Sequence, residues 1–412
     1  MRPTRSILLA SILAVFGCGG GGGNTSPTTP AISVPVVTTV TVALASTKFE
    51  LGSTTTATAI VLDQNGGAIN GKTISWSSDN QSVAAVGADG VVTGVAAGTA
   101  NIVATVDGKQ GKAAGTVTTW IYDGTILSNA DFGGAAGALA DVSVLQLKDG
   151  RFRMIIGGFP NSPGGFGSAI SSDGVKFTIE PGVRLATPVQ VGGVLSSFVK
   201  PVAVRMDDGR IRLFATAISG VPDGIYSFTS SDEGLTFTPD AGARITLAAS
   251  GLIGVGSVVK TKGGGWRMYF NDNPPSTVGA GGVIVLGSPK TLSATSSDLT
   301  NFSVDAGVRV GTGATLSGAA QSAGAVLNSD GSTTIVYFRN IPGYALQSTS
   351  ADGLNFTTEV RAGFGTNERV PIPAIDAYLL TLANGDVRMY FNYGNNVAGT
   401  IYTAHHTAFS LK

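Results

Sequence analysis

Between residues 36 and 104, apolar and polar positions alternate in short runs, the clearest of which covers residues 54–61. Glycine and asparagine turns separate the runs, for example at Asn65-Gly66 and Asn70-Gly71. Alternation with a period of two is typical of strands that bury one face. About seven such strands, spaced by about 8–12 residues, predict a β-sandwich over residues 35–119.

A longer pattern repeats over residues 120–412. Each unit has an apolar strand, a glycine-containing turn, an aromatic-rich strand and a third strand, and most units add a fourth. Asp-Gly and Asn-Gly turns between alternating strands predict hairpins. A unit of about 58 residues cannot bury its apolar face alone and must stack on its copies. The sequence therefore predicts an all-β protein, in which a sandwich is followed by a five-bladed β-propeller.

Several polar residues recur once per unit, and a repeated residue indicates structure because a binding site is unique. Four units carry a Ser-x-Asp turn, whose aspartate is predicted to accept backbone N–H groups of its own hairpin. The aspartates are Asp173, Asp232, Asp298 and Asp352. Recurring arginines are predicted to form ion pairs between blades or to pack along their stems. They are Arg153, Arg212, Arg267 and Arg388 on one strand, and Arg184, Arg244 and Arg309 on another.

The fifth unit departs from the others because it lacks the turn aspartate. His405 and His406 stand at that position, and we expect them in a solvated hairpin. The stretch Trp120–Leu127 precedes the first unit and is predicted to supply the outer strand that closes the ring.

Composition excludes several functions. Charged residues make up 13% of the sequence, and Lys plus Arg equal Asp plus Glu at 26 each. Without a basic surplus to neutralise phosphates, nucleic acid is not expected as a partner. The two histidines are adjacent, so neither a zinc site nor a Ser-His-Asp triad is indicated. No metal and no other cofactor is predicted.

The N-terminal segment has the features of an export signal. Arg2 and Arg5 precede an apolar run over residues 7–16, which is too short to cross a bilayer. The run leads to Cys18, the single cysteine, and resembles the lipobox of bacterial lipoproteins, except that Phe16 is bulkier than usual. The resemblance implies a signal peptide over residues 1–17 and a lipid on Cys18 that anchors the protein to a membrane.

Residues 18–34 are rich in glycine, serine, threonine and proline, which predicts a flexible tether. A single cysteine excludes an internal disulfide. We expect a monomer in the bacterial cell envelope, at the outer membrane or the cell surface.

The sandwich segment, residues 35–119, resembles the bacterial immunoglobulin-like (Ig-like) group 2 domain. The resemblance rests on Trp76-Ser77-Ser78, on Val-Ala-x-Val at residues 83–86 and on Gly-x-Val-x-Gly-x-x-x-Gly-Thr at residues 90–99. It implies a surface spacer or adhesive module without chemistry of its own. Trp76 is expected to fill the centre of its core.

The propeller segment, residues 120–412, resembles two groups of enzymes. Its Ser-x-Asp turns resemble the Asp-box of sialidases, most fully at residues 230–237, where Phe237 replaces the usual tryptophan. Its blade count and Asp-Gly-Arg strands look more like five-bladed glycoside hydrolases of families 43 and 32.

This resemblance implies a ligand funnel on the face opposite the Asp-Gly turns. Loops of that face hold amides, carboxylates and tyrosines, which suit sugar hydroxyls. The candidate ligand-binding residues are Asn271, Asp272, Arg339, Tyr344, Asn392 and Tyr393.

Glycoside hydrolysis requires two positioned carboxyl groups. The family 43 resemblance implies an aspartate early in the first blade, where Asp141 stands, and a glutamate in the third blade, where none is present. The second blade offers Lys200-Pro201 in place of an aspartate. The catalytic candidates are therefore Asp141, Asp272 and Glu368.

Three functions remain open from the sequence. The first is binding of an extracellular glycan or another extracellular ligand, such as a surface protein. The alternative is a family 43-like or sialidase-like glycoside hydrolase that acts on extracellular carbohydrate. The third is a scaffold for protein interactions without a small ligand.

Overall fold

A computed structural model describes residues 34–132, 139–158, 165–247, 252–273, 277–278, 284–285, 289–311, 313–316, 321–338, 345–361, 374–382, 387–393 and 400–406. Cys18, the predicted signal peptide and residues 18–33 of the predicted tether lie outside them. The regular secondary structure of the described residues consists of strands and a 3-10 helix at Asn129–Phe132. None of its helical residues belongs to a helix that is long and apolar enough to cross a membrane.

The first module is a sandwich of two four-stranded sheets, with the orders β1-β3-β6-β5 and β2-β8-β7-β4. Its strands are β1 (Thr39–Leu44), β2 (Lys48–Glu50), β3 (Thr54–Leu62), β4 (Ser75–Ser78), β5 (Ala84–Val86), β6 (Val91–Gly94), β7 (Gly98–Val106) and β8 (Lys109–Thr118). The alternation of β1 and β3 buries every second side chain, as the pattern predicts. Eight strands are present, one more than the expected seven, because the three-residue β2 pairs in parallel with β8.

Trp76 does not fill the centre of the sandwich core as expected. It is only partly buried and packs against two separate clusters of buried residues at once. Its strand β4 lies at the edge of its sheet, so one side of the ring stays accessible.

The second module consists of antiparallel sheets that follow one another in sequence as blades. Blade one contains β10 (Ala140–Gln146), β11 (Phe152–Gly157), β12 (Phe166–Ser171) and β13 (Thr178–Leu185). Blade two contains β14 (Val189–Val191), β15 (Val194–Arg205), β16 (Ile211–Ser219), β17 (Ile225–Ser230) and β18 (Thr238–Ile245).

Blade three contains β19 (Leu252–Lys260), β20 (Trp266–Asn273), β23 (Lys290–Ser296) and β24 (Ser303–Val304), with a small ribbon of β21 (Thr277–Val278) and β22 (Ile284–Val285) between its second and third strands. Blade four contains β25 (Gln321–Leu327), β26 (Thr333–Phe338), β27 (Ala345–Ser350) and β28 (Val360–Arg361). Blade five contains β29 (Ala374–Thr381), β30 (Val387–Tyr393) and β31 (Ile401–His406).

The ring is closed by an outer strand from the start of the module. Strand β9 (Trp120–Leu127) pairs antiparallel with β31, so that blade five takes its fourth strand from the other end of the propeller. This confirms the predicted role of the stretch. The innermost strands β10, β15, β19, β25 and β29 pack against one another in sequence, and β29 packs against β10. The described residues therefore form a five-bladed propeller.

Apolar clusters fill the spaces between blades, which explains why the second strands are apolar on both faces. All six residues of β11 are buried, and so are the first seven of β16. Each blade buries one face against the preceding blade and the other face against the next one. A single blade would expose both faces, so it depends on its neighbours for its hydrophobic stabilisation.

The Ser-x-Asp turns make the expected hydrogen bonds. In the first turn, Asp173 Oδ1 accepts the backbone N–H groups of Val175 at 2.7 Å and Lys176 at 2.8 Å. Asp232, Asp298 and Asp352 accept the equivalent pairs in their own turns. The carboxylate thus satisfies the inward N–H groups, and the carbonyl groups of the turn point outward.

Five of the seven recurring arginines bind those outward carbonyl groups on the next blade. Arg212 donates instead to Thr300 Oγ1 of the next turn, and Arg388 to Asp123 of its own blade. Arg184 and Arg309 donate through Nη1 to the carbonyls of Leu235 at 3.4 Å and Leu354 at 2.8 Å. Arg267 Nη1 donates to Asp352 O at 2.7 Å. Arg153 likewise donates to Glu233 O. Each junction from blade one to blade four is therefore closed by two arginines of one blade and the turn of the next.

The prediction of ion pairs between blades was wrong in its geometry. The ionic partners lie within the same blade: Arg153 Nε is 2.7 Å from Glu180 Oε2, and Arg267 Nε is 3.2 Å from Asp305 Oδ2. A carboxylate on the fourth strand faces the arginine on the second across the intervening strand. This carboxylate does not bind the Nη1 group of the arginine, which can therefore donate to the neighbouring blade.

We expect Arg153→Met to lower the free energy of unfolding by about 3–5 kcal/mol, because it leaves the Glu180 carboxylate largely buried and unpaired. Urea unfolding would measure the loss. Glu180→Gln in the same protein should recover much of it, since the neutral amide needs no counter-ion. Arg151→Met is the matched control, because Arg151 pairs with Asp149 on the open surface, at 54% and 50% exposure. Equal losses for Arg153→Met and Arg151→Met would contradict the role of the junction.

The aspartates of the Ser-x-Asp turns also predict that the free energy of unfolding decreases at acid pH. Burial would raise the pKa of Asp232, but hydrogen bonds from Thr236, Ser230 and Leu235 outweigh it and lower the pKa from 3.8 to about 2. Since the folded pKa is depressed, this stabilisation is complete above pH 3.8 and is lost as the pH falls toward 2. Unfolding midpoints measured from about pH 5 to about pH 2 should therefore fall less steeply for Asp232→Asn than for the wild type. Parallel curves for the two proteins would refute the assignment.

Candidate functional site

Every innermost strand of the propeller is interrupted by a β-bulge, near its first residue in β10, β25 and β29 and at mid-strand in the longer β15 and β19. The register shifts lie at 140/142 in β10, 199/202 in β15, 255/257 in β19, 321/324 in β25 and 375/377 in β29. A bulge leaves residues unpaired and re-aims their side chains, and bulges are over-represented next to active sites. Because the innermost strands surround the axis, these five bulges form one level of the ring. The bulges lie toward the end of the ring at which the innermost strands begin. The Asp-Gly turns follow the other end of the same strands and therefore lie on the opposite side of the ring.

Two bulges carry opposite charges that meet. Asp141 lies in the bulge of blade one and Lys200 in that of blade two, and Lys200 Nζ is 3.4 Å from Asp141 Oδ1. Both side chains are largely buried, at 15% exposure for Asp141 and 26% for Lys200. The lysine stem runs along Gly254 of blade three, where an added Cβ would lie 3.6 Å from Lys200 Cδ. The ion pair therefore joins blades one and two, and its lysine stem also contacts blade three. We call this end of the ring, where the bulges lie, its mouth.

Both residues adopt a backbone conformation that is unfavourable for L-amino acids. The φ angle is 47° at Asp141 and 56° at Lys200. A residue other than glycine in the left-handed region costs about 1–3 kcal/mol and persists where the surroundings enforce it, often at functional sites. Asp141 and Lys200 also line a cavity of about 20 Å³ on the axis, together with Pro201, Gly256 and Ala377.

The sequence pattern pointed to the position of Asp141 but missed the role of Lys200. In the sequence, Lys200-Pro201 stands out only as a departure from the family 43 pattern. Aligning the innermost strands of the units would have placed Lys200 at the same level as Asp141, because both stand just before the apolar part of the strand. Their contact could not be read from the sequence, because it depends on how blades one and two are rotated about the axis.

Asn271 and Asp272 were expected in a loop, but they belong to strand β20. The hairpin extends past the aromatic residues because Asn271 pairs with Thr291 and Asp272 with Lys290 across β23. Asp272 Oδ2 is 3.2 Å from Lys290 Nζ, and Asn271 Oδ1 accepts from Thr291 Oγ1 at 3.4 Å. Both side chains are buried, at 4% exposure for Asn271 and 9% for Asp272. Both residues lie in blade three, on the strand next to Gly254.

Asn392 occupies the equivalent place in blade five, in strand β30 rather than in the expected loop. It is 8% exposed, and its Oδ1 atom accepts no hydrogen bond from any residue that the structure describes. An unsatisfied buried acceptor is costly, so this atom is a position for a ligand or water hydrogen bond. Tyr393 follows it as the last residue of the strand. Arg339, Tyr344 and Glu368 lie outside the described residues.

The histidines of the fifth unit are not in a solvated hairpin. Strand β31 pairs with β9, which covers both of them from the outside. His405 Nδ1 is 2.8 Å from Asp123 Oδ1, and His406 is 5% exposed with Nε2 3.0 Å from Glu50 Oε1 of the sandwich. Among the described residues no group of three or more His, Cys, Asp or Glu side chains is arranged to hold a metal ion.

Comparisons with known proteins agree with this architecture. Residues 36–117 match the family model of the bacterial Ig-like domain (group 2). A search of curated proteins found no match to the sequence. Among solved structures, a protein determined as an RGII complex superposes with a TM-score of 0.51 at 12% identity, over 69% of the present protein and 92% of that one. Its likeness concerns the fold alone.

Two other structural neighbours are propeller enzymes of glycoside metabolism. The endo-arabinase from Bacteroides thetaiotaomicron VPI-5482 has a TM-score of 0.49 and 17% identity, over 66% of the present protein and 94% of that one. A family 117 glycoside hydrolase from the marine bacterium Zobellia galactanivorans has a TM-score of 0.49 and 12% identity, over 70% of the present protein and 90% of that one.

The strain at the two bulges yields a prediction about stability. The double variant Asp141→Gly/Lys200→Gly relieves both left-handed residues and loses the ion pair, which Asp141→Ala/Lys200→Ala loses equally. We expect it to be more stable than Asp141→Ala/Lys200→Ala by about 2 kcal/mol, because alanine keeps the Cβ that makes this conformation unfavourable. Urea unfolding of both variants provides the comparison. An alanine variant as stable as the glycine variant would show that the bulges are unstrained.

Proposed function

We propose that the protein is a lipid-anchored bacterial surface protein whose propeller binds an extracellular glycan at the bulge end of the ring. In this proposal a lipid on Cys18 holds it to the cell envelope, at the outer membrane or the cell surface. The tether and the Ig-like module then act as a spacer, and the monomeric propeller faces outward. A surface protein as the ligand is the principal competing partner.

The observation that carries the proposal is the ion pair between Asp141 and Lys200 on two strained bulges. A carboxylate beside an ammonium group provides fixed acceptors and donors at one point, which is what sugar hydroxyls require. A rigid ring that holds both residues in an unfavourable conformation keeps them in place before the ligand arrives. The unsatisfied Asn392 Oδ1 adds a further acceptor on the side of blade five.

The same pair argues against Asp141 as the proton donor of a glycoside hydrolase. A glycosidase needs one carboxyl group that delivers a proton and a second that acts as base or nucleophile, about 5–9.5 Å away. Asp141 is engaged by Lys200, and Asp272 lies on the second strand of blade three beside Lys290. A carboxylate paired with an ammonium group is suited to accept hydrogen bonds rather than to donate a proton.

The experiment is a glycan-array screen of the purified protein, combined with a hydrolysis assay on aryl glycosides and plant polysaccharides. We expect binding without turnover, and we expect Asp141→Asn and Lys200→Gln each to weaken binding about tenfold or more, because each removes a charged partner. The matched control is Asp207→Asn. Asp207 forms a comparable pair with Lys260, at 2.5 Å, but at the opposite end of the ring and 74% exposed.

The outcomes separate the competing functions. Turnover that is lost in Asp141→Asn and kept in Asp207→Asn would establish a glycoside hydrolase and overturn the binding proposal. Neither binding nor turnover would leave a protein-interaction scaffold as the function. In the same preparations, the wild type is expected in the membrane fraction and Cys18→Ser in the soluble fraction. Equal partition of the two would reject the lipid anchor.

A further inference from the structure

The junction between blades four and five is built differently from the three arginine junctions that join blades one to four. Thr334 of blade four stands in the register of the recurring arginine, opposite Thr349. His406 of blade five stands in the register of the turn serine, next to the strand end. Blade five has no Ser-x-Asp turn in its sequence, and blade four lacks the second-strand arginine that would bind one. This junction therefore lacks both the second-strand arginine of one blade and the Ser-x-Asp turn of the next.

The Ig-like module lies over this place. Its residue Glu50 accepts a hydrogen bond from Thr118 Oγ1 at 2.8 Å and lies 3.0 Å from His406 Nε2 of the propeller. Trp120, at the boundary of the two modules, packs edge-on against His406 with 4.9 Å between ring centroids. The module covers the junction without filling it. A cavity of about 520 Å³ remains between the sandwich, blade four and blade five, which is within the range of small-molecule sites.

The cavity has a buried floor and an exposed rim. Trp120, Gln347 and Ser348 form part of the floor and are each buried. Ser329 and Lys48 belong to the rim and are exposed to solvent. A small molecule can thus enter from solvent and reach polar groups that are already desolvated, where a hydrogen bond discriminates more strongly than on an open surface.

Gln347 presents an oriented donor in this floor. Trp120 Nε1 donates to Gln347 Oε1 at 2.9 Å. Since an indole N–H only donates, the amide oxygen must face Trp120, and the amide Nε2 is left for another partner. Among the described residues nothing accepts a hydrogen bond from this Nε2, although Gln347 is only 6% exposed. This donor is reached by solvent from the cavity, so its acceptor is expected to be water or a bound molecule.

The remaining lining indicates the class of molecule. Most polar groups are serine and threonine hydroxyls, which both donate and accept, joined by the amides of Asn328 and Gln347. Lys48 is outnumbered by the carboxylates of Glu50 and Asp330, so an anionic ligand is disfavoured. We propose that this cavity binds a neutral polyhydroxylated molecule, of the size of about one or two sugar rings, between the Ig-like module and the propeller. This site shares no residue with the Asp141–Lys200 site and does not depend on it.

The test uses the whole protein labelled with 5-fluorotryptophan, whose three tryptophans give three ¹⁹F signals. The probes are cellobiose, xylobiose, arabinobiose and mannobiose at millimolar concentration, with galacturonic acid as the anionic comparison. We expect at least one neutral disaccharide to shift the Trp120 signal and leave that of Trp266, at the start of β20 in blade three, unchanged. Galacturonic acid is expected to shift neither. No shift with any neutral disaccharide would overturn the proposal, and an equal response to galacturonic acid would overturn the assignment of a neutral ligand.

Two variants locate the binding. Gln347→Glu keeps the oxygen that accepts from Trp120 but replaces the Nε2 donor with a charged oxygen, and should weaken binding about tenfold or more. Ser329→Tyr places a large ring at the exposed rim without adding a fourth tryptophan signal, and should block entry without touching the buried floor. The controls are Gln146→Glu, whose amide binds an exposed turn of blade one at Gly150 O, and Asp141→Asn. A Trp120 shift that survives both cavity variants, or that disappears in Asp141→Asn, would refute the assignment to this cavity.

Discussion

The hydrogen bonds from paired arginines to the neighbouring turn determine how blades one to four of this propeller fit together. Apolar packing between sheets is strong but has no direction, so it does not fix how one blade is positioned on the next. The Ser-x-Asp turn supplies that direction. Its aspartate binds the inward N–H groups, as Asp173 does with Val175 and Lys176, and the carbonyl groups then face outward. A guanidinium group of the preceding blade reaches them while its other nitrogens are held by a carboxylate of its own sheet.

The rigid ring supports the strained residues at its mouth. Bulges in the innermost strands would relax in an isolated sheet, because nothing would oppose the return of Asp141 and Lys200 to ordinary backbone angles. In the ring, side chains of one blade bind backbone groups of the next near the bulges. Ser143 Oγ accepts from Ala203 N at 2.8 Å, and Thr216 Oγ1 accepts from Val255 N at 3.0 Å. The proposed binding pair thus depends on the same blade-to-blade contacts as the fold.

The break in the repeat connects the propeller to the Ig-like module. At the position of the missing fifth turn, Glu50 of the sandwich contacts His406 of the propeller. Trp120 packs in the apolar cluster of blades four and five. The first strand of the propeller segment therefore has two roles, since β9 closes the ring and also carries the tryptophan beneath the sandwich. Closure of the ring and docking of the module are consequently linked through a few adjacent residues.

Local patterns in the sequence determined the class of fold. The period-two alternation specified the strands, the Asp-Gly and Ser-x-Asp turns specified the hairpins, and the repeat specified stacked blades closed by β9. These features depend on neighbours in the sequence, so they can be read without knowing the fold. The expectation that Asp141 stands at the start of an innermost strand came from the resemblance to family 43.

Contacts between residues distant in the sequence were decided only by the tertiary structure. The pairing of Asp141 with Lys200 depends on the rotation of two blades about an axis, and the burial of His406 depends on a strand from the other end of the propeller. Asn271 and Asp272 became strand residues because the opposite strand offered partners, although their composition is that of a loop. Turn chemistry and periodicity are local, whereas burial and charge pairing are properties of the assembled ring.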